Sequence, residues 1–240
     1  MLKYFAILIF VILAVTYYFL PVEATNTAQT FLTISTFLFA IFTGFFISRQ
    51  GKRYTSIRDQ IAIFDGELTS CYRQFGHLGK AAQKASAKII KQHYEKIVKN
   101  NAWDYHFNNK SNTITSLHQL AEKHSGNKPL PSLKHLALQR VLTALETLQR
   151  SRKSMVSLYT ERIPRFQWIL VDLLAVILFI TVSTIPSEGY FLGAILKGAF
   201  CSSVIFIIIL LREFDRLNFF EKTIGEHSAK DILEILSGKK

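Results

Sequence analysis

Four apolar runs of about twenty residues each restrict this chain more than any other feature: Leu2–Leu20, Gln29–Ser48, Phe166–Ile185 and Phe191–Leu211. Twenty residues of α-helix rise about 30 Å, the thickness of a bilayer's hydrocarbon core. Inside that core every backbone N–H and C=O needs an internal partner, which a helix supplies by itself. The runs come in pairs with short connectors, "PVEATNTA" and "PSEGY". Each pair therefore reads as a helical hairpin, and the chain as an all-α membrane protein. The first run has a rival reading as a signal peptide, with Lys3 before it and a small-residue site in "VEA" at Val22–Ala24. We expect it to be retained, because it is longer than a signal core and ends in the interfacial aromatics "YYF".

Charge sets the orientation. Of 29 Lys/Arg and 17 Asp/Glu, residues 49–165 hold 21 and 8. Neither short connector has a Lys or Arg, whereas Arg212, Arg216 and Lys222 follow the fourth run. The positive-inside rule then places the central segment and both termini in the cytoplasm. The expected organisation is hairpin 1 over residues 1–48, a basic cytoplasmic helical domain over 49–165, hairpin 2 over 166–211, and a cytoplasmic C-terminal segment over 212–240. The cysteines, Cys71 and Cys201, lie in unlike settings, so neither a disulfide nor a metal-ligand spacing is expected.

The central segment reads as helices. Apolar residues recur at helical spacing from Tyr54 to Gln74, with a local break at Gly66. Leu78–Val98 is rich in Ala, Lys and Gln. "NNAWDYHFNNKSN" reads as a loop with an aromatic plug, Thr113–His124 as a short helix, and "SGNKPLP" as its end. Ser132 is expected to cap a helix running to Thr160, with Leu138, Val141, Leu145, Leu148, Arg152, Met155 and Tyr159 on one stripe. Pro164 separates it from the third run.

Two charges lie inside apolar runs and are functional candidates by default. Lys197 is about 9 Å from the outer end of its span, within reach of snorkelling. It borders a small-residue face, Ala194, Gly198 and Ser202, of the kind used for close helix packing. It either anchors the span or lines an outer anion vestibule. Asp172 is about 9 Å from the inner end of its span, too far in depth to meet Lys197. A basic partner from the cytoplasmic side, such as Arg49 or Arg165, or a water-filled space is expected. On the second run, Thr33, Thr36, Ala40 and Thr43 share one face, with Phe39, Phe42 and Phe46 beside it. This reads either as a pore wall with an aromatic constriction or as packing through small residues.

Enzyme chemistry finds little support. "GHLGKAA" has the wrong spacing for a phosphate loop, the histidines form no metal motif, and no nucleophile and base converge. His106, His118 and His124 read as ordinary surface or core residues, and "DGE" at Asp65–Glu67 as surface charge. No cofactor is expected. The basic charge is spread over several helices without a nucleic-acid motif, so membrane lipid and small anions are the expected partners rather than nucleic acid.

Layout and local sequence resemble a known family. "FISRQGKRYTSIRDQIAIFDGELTSCYRQF" (Phe46–Phe75), "HYEKIVKNNAWDY" (His93–Tyr105) and "LLREFDRLNFFE" (Leu210–Glu221), together with the two-plus-two spans, are similar to bestrophins and more closely to the bacterial bestrophin-like domain family. The resemblance implies a bacterial inner-membrane protein assembled as a pentamer, conducting anions. It also implies that the second spans surround a hydrophobic neck, at which Phe39, Phe42 and Phe46 or the adjacent threonine stripe would sit. The chain lacks the acidic cluster of the calcium-gated animal channels, so calcium gating is not implied. The competing function is a non-conducting membrane protein whose central helices dock a partner or sense anionic lipid, motivated by the stripe from Leu138 to Tyr159.

Overall fold

Every regular element of the described residues is helical in the computed structural model, which describes residues 8, 11–13, 15, 16, 18, 19, 26–100, 103–108, 112–125, 131–185, 190–218 and 224–238. The elements are α1 (Asn26–Leu78), α2 (Lys80–Asn100), α3 (Tyr105–Asn108), α4 (Thr113–Ser125), α5 (Ser132–Thr160), α6 (Arg165–Ser183), α7 (Tyr190–Arg216) and α8 (Ile224–Leu236). Three stretches are long and apolar enough to cross a membrane, within Gln29–Leu78, Ser132–Ser183 and Phe191–Arg216. The first apolar run is described at eight positions, all helical, and the cleavage site considered at Val22–Ala24 lies outside the described residues.

The chain divides into two units, one of residues 1–52 and 162–217, the other of residues 53–161 and 218–240. In the apolar unit, α6 packs on α7. Phe39 and Phe46 of α1 join Val171, Leu174 and Leu178 of α6 and Val204 and Leu211 of α7 in one core. Large apolar side chains remain outside it: Phe31, Phe37, Phe45, Phe166, Ile169, Phe191 and Leu196 are all more than half exposed. Such a surface needs lipid or protein against it rather than water.

In the polar unit α2 packs against α4 and α8, and α5 against α3 and α4. The predicted α5 stripe is internal: Leu138, Val141, Leu145, Leu148 and Met155 are buried. The cap of this helix differs from expectation. Pro131 is the N-cap, and Ser132 is the first helical residue, making no side-chain cap; proline's fixed φ suits the entry to a helix. At the other end Arg53, itself buried, donates to the carbonyls of Leu158 (2.6 Å) and Tyr159 (2.8 Å). A cation on the last-turn carbonyls complements both the unfilled acceptors and the helix dipole.

The expected break at Gly66 is absent, and α1 is continuous for 53 residues. One glycine costs a helix only about 1 kcal/mol, which neighbouring packing offsets. The break falls at Gly79, whose φ of +139° disfavours any residue with a Cβ. The aromatic plug is real: Phe107 meets Trp103 edge-on at 5.6 Å and Tyr159 at a tilt at 5.1 Å between ring centroids.

Candidate pore face and buried charges

The pore candidates of α1 fall on two sides of the helix. Phe39, Thr43 and Phe46 are buried, Thr36 and Phe42 half-buried, and Thr33 and Ala40 exposed. The Thr43 hydroxyl donates to the Phe39 carbonyl at 2.6 Å, so it is turned onto its own helix. The open side at the angle of Thr33 and Ala40 also carries Phe37, Gly44 and Ser48, all exposed. A Cβ added at Gly44 would meet nothing within 4 Å. This side is therefore narrow and small-residued, with one aromatic projection, Phe37, at 66% exposure. Gly44 adjoins the stripe expected from the sequence, whereas Phe37 was not singled out, because phenylalanines lie on every side of this run.

The charges of the apolar unit have local partners. Lys197 Nζ donates to the carbonyl of Ser183 at 3.4 Å. Ser183 is the last residue of α6, where carbonyls lack intrahelical donors, so the ammonium serves as a helix-end donor. Asp172 meets neither Arg49 nor Arg165 but Arg212, at 3.7 Å. The same guanidinium lies over the Trp168 ring, 5.5 Å from its centroid. Both partners of this pair are about half exposed, so its energetic weight is small.

Asp215 is the better-built site. One carboxylate oxygen accepts the backbone N–H of Ile163 at 2.8 Å and the Gln50 amide at 3.4 Å. Arg162 donates to the Asp215 carbonyl. This buried aspartate thus ties the end of α7 to α1 and to the segment before Pro164. Two residues on, α7 stops at Leu217, whose φ of +60° places a bulky buried side chain in the left-handed region.

The polar unit holds a buried cluster that the sequence reading missed. Asp65, read as surface charge, is 6% exposed and accepts the Tyr94 hydroxyl at 2.5 Å. It also accepts the Ser228 hydroxyl. His106 Nε2 lies 3.8 Å from Asp65, and His106 Nδ1 shares a hydrogen bond with His93 Nε2 at 3.2 Å. His93 Nδ1 shares another with the Thr113 hydroxyl at 3.1 Å. Burial pushes the Asp65 carboxyl up to about 6, against the opposing pull of Ser228 and Tyr94. Burial pushes His106 down to about 4. His93 is also held well below its usual value, first by burial and then by His106, Lys96 and Arg152.

A family model described as the Bestrophin-like domain matches residues 4–217. The chain belongs to the bestrophin-like family. No curated protein and no solved structure matches it. The match takes in all of α1 to α7, and the three apolar stretches make this bestrophin-like chain an integral membrane protein. Both its cysteines are buried, one in each unit.

Proposed function

We propose that the chain is one subunit of an oligomeric anion channel, its four spans forming two hairpins and its polar unit and termini facing the cytoplasm of a bacterial cell. The observation that carries this reading is the exposed side of α1 between Thr33 and Ser48. In a lone subunit this small-residued stripe and the exposed phenylalanines bordering it face only lipid, whereas a ring of such helices encloses a narrow path. By family likeness the ring is a pentamer.

Thr33, Ala40 and Gly44 wall the path and Phe37 narrows it. Phe39 and Phe46 act from the subunit core, holding α1 against α6 and α7. A small, weakly hydrated anion passes such an aromatic constriction at lower dehydration cost than a small cation. The excess of basic residues over 49–165 raises the local concentration of anions at the inner mouth. The competing docking role loses its main motive, since the Leu138–Met155 stripe is consumed by the chain's own core.

Anion flux from liposomes holding the purified protein tests the reading. Phe37→Ala should raise the flux severalfold with assembly unchanged, while Phe39→Ala should lower the amount of folded protein by opening a core cavity worth about 3–5 kcal/mol. A folded parent that is monomeric in mild detergent, or assembled and silent, overturns the channel.

A further inference from the structure

We propose that Asp65 and Ser228 form a proton-dependent latch that holds the C-terminal helix α8 on the polar unit, tightening in acid and loosening towards neutral pH. The latch is independent of whether the protein conducts.

Its geometry is a buried polar chain that ends on α8, hydrogen-bonded at every step except the 3.8 Å contact between His106 and Asp65. Thr113 of α4, His93 of α2 and His106 of α3 lead to Asp65 of α1, and the Ser228 hydroxyl of α8 closes the far side. Ser228, Asp231 and Ile232 of α8 also wall a cavity of about 450 Å³ beside Asp65, opposite Thr69 and Arg73 of α1. α8 therefore separates this carboxyl from bulk water, and its departure hydrates Asp65.

Hydration decides the sign. In water a carboxyl ionises near its usual value of 3.8, whereas with α8 in place burial moves it to about 6. The docked state thus binds a proton more tightly than the undocked state. By linkage, docking is strongest below pH 3.8 and weakens as pH rises towards 6, where a buried carboxylate has to be sustained.

The other groups around Asp65 do not reverse this. Tyr94, at 2.5 Å, is held well above its usual value by burial and by Asp65, so it stays a neutral donor. His106, near 4, and His93, also lowered, bond to each other and to Thr113 rather than to α8, so they stay buried and neutral in both the docked and the undocked state and add no opposing slope. Arg152 spends its Nε on the His106 carbonyl at 3.3 Å, while Lys96 bears on His93. Arg73 and Asp231 face the same cavity with opposite charges.

The imidazole chain adds a directional element. With Asp65 ionised, His106 favours a proton on Nε2, towards the carboxylate. Its Nδ1 then accepts from His93 Nε2, whose Nδ1 accepts from Thr113. With Asp65 neutral the opposite polarity becomes equally available, so the charge on one carboxyl sets the orientation of three further residues.

Hydrogen exchange read by mass spectrometry on the full chain in detergent tests the latch. Opening constants for α8 amides are compared at about pH 5 and about pH 7.5 after correction for intrinsic exchange, with α6 amides as reference. The parent should open more at the higher pH, by about tenfold, the part of the effect of an Asp moving between 3.8 and about 6 that falls above pH 5. Asp65→Asn should remove the dependence. Ser228→Ala should raise opening at both pH values and more at the higher one, where the lost bond is charge-assisted. The proposal is overturned if the parent's opening is flat with pH or rises in acid, or if Asp65→Asn keeps the parent's dependence. Should Asp65→Asn fail to fold, equal effects of Ser228→Ala at both pH values refute it.

Discussion

Asp215→Ala removes an acceptor from a buried backbone N–H, and its cost follows from the partners. The Ile163 N–H at 2.8 Å and the Gln50 amide at 3.4 Å both lose Asp215 Oδ1. A buried donor left unsatisfied costs about 1–3 kcal/mol, and a hydrogen bond to a charged group is worth about 1.5–3 kcal/mol. These overlap, since both describe the same bond, and the Gln50 contact is long. The expected loss is about 2–4 kcal/mol, a melting shift on the order of 5–10 °C for a chain of this size. Asp215→Asn keeps an acceptor for Ile163 and gives up the charge, so its loss should be about 1 kcal/mol. The chain carries its own reporter. Cys201 is in the apolar unit with Asp215 and is 0% exposed, so a thiol-reactive fluorophore in a Cys71→Ala background reads the opening of that unit alone. Cys71→Ala with Asp215→Ala melting within a degree of its background, or Asp215→Asn falling as far as Asp215→Ala, would refute an account based on the satisfied N–H.

Two further outcomes follow from the same geometry. The Cys71 thiol is pushed up to about 12, by burial first and by Glu67 second, so the folded protein should resist alkylation there at mildly alkaline pH; labelling of Cys71 before unfolding, seen by peptide mass, would contradict its burial. Lys197→Met should cost about 1 kcal/mol of stability through the lost donor to Ser183 and leave anion flux and selectivity unchanged. A change in selectivity with no loss of stability would return Lys197 to an outer vestibule.

Some of this was legible in the sequence because it depends on period and composition. The apolar runs, the stripe from Leu138 to Met155 and the stop at Pro164 each follow from residue spacing within one element. The Asp65 cluster left a readable trace that was passed over. Asp65 falls between Ile61, Phe64 and Leu68 on the buried face of α1, and His93 between Ile90 and Ile97 on that of α2. A polar residue on an apolar face has to find partners. Which partners it finds was not legible, since Asp65 is 163 positions from Ser228 and 29 from Tyr94. A basic partner for Asp172 was expected, but which one was not legible for the same reason. Depth along a span narrows the choice of cation, but Arg212 is selected by how α6 packs on α7, which no single helix encodes.

The charges of the apolar unit also limit where ion selectivity can arise. Lys197 is engaged by a helix-end carbonyl, Asp172 by Arg212, and Asp215 by the Ile163 N–H and Gln50. Each interaction stabilises helix ends or helix pairs, and moving any of these charges to face a passing ion would forfeit it. The side of α1 that carries Thr33, Phe37, Ala40 and Gly44 has no charge at all. Even the Thr33 hydroxyl donates to its own helix, at the Gln29 carbonyl 3.0 Å away, presenting lone pairs outward. A pathway along this side would discriminate between ions by the cost of stripping water at Phe37, not by binding them. Its selectivity among anions should therefore follow ease of dehydration, with larger, weakly hydrated anions favoured over chloride, and Phe37→Ala should flatten that order as well as raise the flux.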